Sequence, residues 1–309
     1  MPPAVRHATS VRAEMAPKPD SFHLIAARRS PLCLRPLKFR RGDLCLRRSA
    51  VSLCCERHSI RIDRSALTRV ILLPEWLARM EYPKSDYKEY PKTLPPDDLW
   101  GQVRRTVYGK PVSDDQIQMI VDSIRSGLAL TGEDRLLELG CGNGALSQFL
   151  FDGCSEFVGV DFSDYLISVA QRKFQRAGFA FVAGDAMAYL SAESLPARFT
   201  KALCYAMLSY LSDDQAEALL TGLSNRFTGI TTVFLGNLPD RDRAHLFFPD
   251  GKDFSRELDD PASQIGKWRS PAQLEALAAR SGWRTRIELM PEDFYQAHYR
   301  YNAVLERAR

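Results

Sequence analysis

The stretch Leu136-Leu137-Glu138-Leu139-Gly140-Cys141-Gly142-Asn143-Gly144-Ala145-Leu146 decides the fold. A short apolar run ends in an acid and a glycine cluster, and an apolar-periodic segment follows. That order reads as a strand, a tight turn and the N-terminus of a helix. Glycines at 140, 142 and 144 let the backbone turn sharply and approach a ligand with no Cβ in the way. The free N–H groups that open the helix would face that ligand. The stretch also satisfies a dinucleotide fingerprint through Gly140, Gly142 and Ala145, since Ala is allowed at the last position.

Working outward, Glu156-Phe157-Val158-Gly159-Val160-Asp161 is a second buried-strand pattern that ends in an acid. Asp161 lies 21 positions after Gly140, the spacing at which a strand-end acid reaches a ribose hydroxyl. A third segment, Ala180-Phe181-Val182-Ala183-Gly184-Asp185-Ala186, again closes a short strand with an acid. With these three motifs in order, residues from about 100 to 309 resemble the class I S-adenosylmethionine-dependent methyltransferases. The family's acid-x-Gly-x-Gly-x-Gly turn is matched by Glu138, Gly140, Gly142 and Gly144. Its second-strand acid is matched by Asp161, and its third acid by Asp185.

The resemblance implies S-adenosylmethionine as cofactor. Glu138 and the Gly140–Gly144 turn would hold its amino acid end, with Cys141 as a small residue beside the ligand. Asp161 would accept from both ribose hydroxyls and Phe162 would cover the adenine. Asp185 would accept from the adenine amino group, Ala186 N–H would meet a ring nitrogen, and Tyr205, ending the fourth strand, would complete the cofactor set. A nicotinamide-dependent oxidoreductase is the main rival reading, but it gives no role to Glu138 or Asp185. A non-catalytic cofactor-binding member of the same fold and an RNA-binding protein acting through its basic extension are the others.

Charge divides the chain in two. Residues 1–79 hold 16 Lys and Arg against 6 Asp and Glu, whereas residues 80–309 hold 26 against 32. A long basic nucleic-acid groove on the acidic part is therefore not expected. Three readings of residues 1–79 stay open: an organelle transit peptide, a nucleic-acid-binding arm, or an extension with no role in the fold. The composition changes at Met80, which looks like a natural chain start, and this favours the last reading. The segment is expected to be largely disordered. The seven cysteines show no metal-ligand spacing, which argues for a reducing compartment and a cytoplasmic protein with no metal site. No apolar run approaches the roughly 18 residues of a membrane span.

Residues 80–130 form a lead-in and one helix, and residues 131–309 form the cofactor-binding domain. Trp100, Gln102, Arg105 and Tyr108 in the lead-in are candidates for a lid over the cofactor. Ser113-Asp114-Asp115-Gln116, Ser212-Asp213-Asp214-Gln215 and Ser270-Pro271-Ala272-Gln273 each read as a capping box that opens a helix. A helix is expected over about 144–151 and another over about 164–177. Strands are expected near 156–161, 180–183, 201–205, 229–236, 283–290 and 299–307. Alternation of strands and helices predicts a doubly wound α/β fold with a mostly parallel seven-stranded sheet. The last two strands follow each other without a helix, which predicts a reversed last strand, as in the resembling family.

The acceptor is expected to be a small polar molecule, and a loose similarity to bacterial enzymes points to a sugar or polysaccharide precursor hydroxyl. The Cys204-Tyr205-Ala206-Met207 segment lacks the Asn/Asp-Pro-Pro-aromatic pattern of nucleic-acid base methylation. His298, between the last two strands, and His245, in the long 237–269 segment, are the candidate general bases. The charged run Asn237-Leu238-Pro239-Asp240-Arg241-Asp242-Arg243 could read a polar acceptor.

Overall fold

The apolar runs identified above are near-continuous and not alternating, so both faces of the sheet they form must be covered. The computed structural model describes residues 86–248 and 253–308. The expectations for residues 1–79 and for Met80 lie outside the described residues.

The chain enters through α1 (Leu99–Gln102), two short paired strands β1 (Thr106–Val107) and β2 (Lys110–Pro111), and α2 (Asp114–Leu128). It continues through β3 (Arg135–Leu139), β4 (Glu156–Asp161), α3 (Asp164–Phe174), β5 (Phe179–Ala183), α4 (Ala186–Ala192) and β6 (Lys201–Tyr205). Then follow α5 (Asp213–Arg226), β7 (Thr232–Pro239), α6 (Ser255–Asp259), α7 (Pro271–Arg280), β8 (Trp283–Glu288) and β9 (Arg300–Arg307). The seven-stranded sheet has the order β5-β4-β3-β6-β7-β9-β8. β3 to β7 run parallel, and β9 is antiparallel to both of its neighbours. The doubly wound sheet with a reversed last strand is the expected one.

Strand alternation sorts the core into two layers. Leu137, Leu139, Val158, Val160, Ala202 and Cys204 face α4, α5 and α7. Leu136, Phe157, Leu203, Phe234 and Val304 face α2 and α3. Trp283 at the start of β8 is 1% exposed, and its Nε1 donates to Leu220 O of α5 at 2.9 Å. The boxes at Ser212 and Ser270 form reciprocally as expected.

Three local expectations are corrected. The turn at Gly140–Gly144 leads into a 3-10 helix, Ser147–Gly153, and not into an α-helix over 144–151. The Ser147 hydroxyl is bound to Glu138 and the Gln148 side chain donates back to Ala145 O, so side chains shape this segment in place of a regular α-helical ladder. Ser113 makes no capping bond to the backbone of α2. Its partner Gln116 instead donates to Asp293 O and accepts from Tyr295 N, joining α2 to the β8–β9 connection. The helix α3 stops at Phe174, and Arg176 and Phe179 close a bridge around Gly178.

α2 lies close on the sheet because Gly127 has no side chain. A Cβ there would come within 2.6 Å of Phe234 and 3.0 Å of Val304. Gly127→Val should therefore cost about 1–3 kcal/mol through overpacking, read as a lower midpoint in urea unfolding. An unchanged midpoint would show that α2 can move off the sheet freely.

Candidate functional site

The carboxyl ends of β3, β4, β5 and β6 open onto one cavity, where a parallel sheet binds ligands. Asp161 ends β4 and is 8% exposed. Its Oδ2 accepts from Gly142 N and its Oδ1 from Ser163 N, both at 2.9 Å. The side chain therefore fastens the glycine turn after β3 to the end of β4. Glu138, in β3, is 2% exposed, and its Oε2 accepts from the Ser147 hydroxyl at 2.5 Å.

Gly140 and Gly142 line the cavity with φ of +78° and +57°, where a side chain is strained. A Cβ on Gly140 would meet Met207 at 2.8 Å, and one on Gly142 would meet Val103 at 3.0 Å. Asn143 pins the turn from the other side. Its Nδ2 donates to Leu99 O at 2.8 Å and to Gln102 Oε1 at 3.0 Å, and Gln102 in turn donates to Pro95 O. The lead-in is thereby tied to the turn, so Trp100, Val103 and Arg105 come to wall the cavity.

Cys141, Phe162, Asp185, Ala186 and Tyr205 also line it, so nine of the ten residues expected at the cofactor share one cavity. Gly144 is the tenth. It faces inward, where a Cβ would meet Phe174 and Phe181 at 3.0 Å. Cys141 is buried against Gly159, which leaves room for little more than its sulfur. Burial pushes its thiol well above the ordinary range, with the Asp161 and Glu138 charges adding to the effect, so it is no thiolate nucleophile. Asp185 has a second task, since its Oδ1 caps α4 by accepting from Ala188 N at 2.9 Å.

The expected bases are elsewhere. His298 and His245 are both exposed, and neither lines the cavity. His298 rests against the ring of Tyr299. The 237–269 segment is not structureless. It holds a 3-10 helix, Arg241–Leu246, and α6, around an aromatic cluster centred on Trp268. Arg241 forms a two-bonded pair with Asp259 and Arg243 pairs with Asp240, while Lys267 and Arg269 reach out to Asp213 of α5. Of the lid candidates, Trp100 and Arg105 reach the cavity and Gln102 braces the turn. Tyr108 is fully exposed. The roles of Asn143 and Ser147 were not legible beforehand, because neither matches a motif and both act through partners distant in the chain. Among the described residues no group of His, Cys, Asp and Glu could hold a metal ion.

A family model described as a methyltransferase domain matches residues 136–227. The ubiquinone biosynthesis O-methyltransferase of Pseudomonas aeruginosa is 26% identical over 162 residues, covering 49% of this chain and 67% of its own length. Its counterpart from Dechloromonas aromatica is 25% identical over 167 residues, covering 50% and 70%. Among solved structures, magnesium protoporphyrin IX methyltransferase from Synechocystis with bound S-adenosylhomocysteine is similar at a TM-score of 0.48 and 18% identity. It covers 68% of this chain and 94% of that one. An S-adenosylmethionine-dependent methyltransferase from Clostridium acetobutylicum is similar at 0.49 and 13%, covering 68% and 98%.

The matched residues run from β3 through α5 and include the glycine turn, Asp161 and Asp185. Residues 136–227 are thus similar to a methyltransferase domain, and the relatives matched over about half of the chain are O-methyltransferases. Among the described residues no helix is long and apolar enough to cross a membrane.

Burial raises the Glu138 carboxyl from 4.5 to about 7 against the opposing effects of Ser147 and Arg105, and the Asp161 charge raises it further. Burial likewise raises Asp161 from 3.8 to about 6 against its two backbone bonds. At these two sites the folded chain holds more protons than the unfolded chain between about pH 4 and 7, so their contribution to stability falls as pH rises through that window. Glu138→Gln stays neutral and should show a flatter decline in denaturant midpoint across it. Parallel declines in the two proteins would mean that Glu138 is already ionised at low pH.

Proposed function

We propose that the cavity holds S-adenosylmethionine by Asp161, Glu138 and the glycine turn, and that the enzyme methylates a hydroxyl of a small, preferably aromatic, acceptor. The observation that carries this reading is the Asp161 carboxylate, buried at the cavity and fixed by Gly142 N and Ser163 N. Each oxygen keeps a further lone pair for a ribose hydroxyl. The bare backbone at Gly140 and Gly142 fits the cofactor, since a Cβ at either would fill the approach.

The cofactor supplies an activated methyl group on a sulfonium. Glu138 lies beside the turn where the cofactor's ammonium would sit. Arg105 lines the cavity with its guanidinium 4.8 Å from the Tyr205 ring centroid, and its Nη1 is buried without a partner, as a group awaiting a carboxylate would be. Phe162, Leu166 and Met187 offer an apolar seat for the adenine, with Asp185 at its edge.

Beyond Met207 the cavity wall turns aromatic. Tyr87, Tyr205 and Tyr210 line it, with the Tyr87 and Tyr210 hydroxyls 3.3 Å apart. Such a wall favours a flat ring over a sugar, the narrower expectation from sequence. The O-methyltransferase relatives support oxygen as the acceptor atom. With both histidines outside the cavity, rate enhancement rests on lining up acceptor and methyl group.

Asp161→Ala should weaken S-adenosylhomocysteine binding by about 1.5–3 kcal/mol, the scale of a hydrogen bond to a charged group, measured by calorimetry on the folded variant. Unchanged affinity would remove Asp161 from the site. His298→Ala and His245→Ala should show none of the ~10²–10⁴ loss that removal of a general base causes. Turnover is read as S-adenosylhomocysteine formed with a panel of phenolic and sugar acceptors. Such a loss in either variant would place a base outside the cavity described here.

A further inference from the structure

Two tyrosines from distant parts of the chain meet at the cavity. Tyr87 belongs to the lead-in, and Tyr210 ends the 3-10 turn Leu208–Tyr210 that follows β6. Both line the cavity. Their rings meet edge to face with centroids 5.8 Å apart, and their hydroxyl oxygens are 3.3 Å apart. A phenol has one proton to donate, so this contact has a direction that the surroundings must set.

Gln264 sets it. Tyr210 Oη lies 3.1 Å from Gln264 O. A carbonyl oxygen only accepts, so the one proton of Tyr210 goes there. The turn that carries this carbonyl is itself held against Tyr210. Ser263 Oγ donates to Gly266 O at 3.0 Å. Gly266, at a φ of +82°, packs so closely that a Cβ would come within 2.4 Å of Ser209 O. Lys267 N donates to the same Ser209 O at 2.6 Å. Tyr210 therefore meets Tyr87 as an acceptor, and Tyr87 gives its own proton to Tyr210. Tyr87 Oη keeps a lone pair and has nothing further to donate. Burial, with Tyr210 adding to it, holds the Tyr87 phenol above its ordinary range, so it stays neutral. Arg104 braces the ring, its guanidinium 6.0 Å from the Tyr87 centroid and 3.8 Å from that of Tyr90.

We propose that Tyr87 is the positioning residue for the acceptor, taking a hydrogen bond from the hydroxyl that is to be methylated. The site then selects by the proton. An un-ionised hydroxyl satisfies the Tyr87 lone pair. A methyl ether, the form in which the product leaves, has no proton to offer and sets one lone pair against another. A neutral phenol is thus held and its methylated product is released. This rests on the reading of the cavity as the methyltransferase site and narrows its acceptor to a hydroxyl that still carries its proton.

The test is calorimetric titration of the full chain, saturated with S-adenosylhomocysteine, with naphthol and with naphthyl methyl ether. Naphthol should bind at least about fivefold tighter, the worth of one hydrogen bond between neutral groups. Tyr87→Phe should erase the difference by weakening naphthol while the ether is unchanged. Tyr210→Phe should shrink it from the other side, because Tyr87 then has a proton for the ether oxygen and ether affinity rises. A cavity merely loosened by either substitution would weaken both compounds together. Equal binding of the two compounds by the natural chain would overturn the proposal, as would binding of neither or a preference that survives in Tyr87→Phe. If Tyr87→Phe does not fold, an ether affinity unchanged in Tyr210→Phe overturns it equally. Failure of S-adenosylhomocysteine itself to bind the natural chain is a separate result. It would refute the cofactor site, whereas normal cofactor binding without a preference for naphthol refutes only the role of Tyr87.

Discussion

The site depends on the bond between the Asp161 carboxylate and the Gly142 amide. The turn after β3 has three glycines at positive φ and little intrinsic preference for one shape. Asp161 selects the shape by taking Gly142 N with one oxygen while the other holds Ser163 N at the start of α3. A charged acceptor makes the bond stronger than a neutral one would, about 1.5–3 kcal/mol. Burial works against that charge, which is why the carboxyl titrates so far above its usual range.

Asn143 carries the order outward. Its bonds to Leu99 O and Gln102 bring the lead-in across the turn, so one wall of the cavity comes from residues far ahead of the domain's first strand. The enclosed space is chemically two-sided. Buried acids and bare backbone lie at the ends of β3 and β4. Tyrosines and guanidinium groups lie near β6, β7 and β9. In the proposed reading the acidic side takes the cofactor and the aromatic side takes the acceptor.

Much of this was legible in the sequence because it rests on local rules. Short continuous apolar runs became β3 to β7, and the Ser212 and Ser270 boxes formed because their Gln residues had no competing partner. The Ser113 box reads identically, yet Gln116 is drawn away by the backbone at 293 and 295. The helix expected after the glycines failed for a similar reason, because Ser147 answers to Glu138. His298 and His245 were chosen for their chemistry and their place in the chain, but neither criterion says which way a side chain faces.

The position of β9 has a consequence for how the chain can be made. β9 lies between β7 and β8, so β8 emerges from the ribosome before the strand that joins it to the sheet exists. At about 5–20 residues per second, the outer edge of β7 stays open for several seconds. An open edge can recruit another nascent chain. The register break between Leu235 and Leu238, and Pro239 just after it, make that edge a poor template for a stranger. The register break thus guards an unfinished sheet during synthesis.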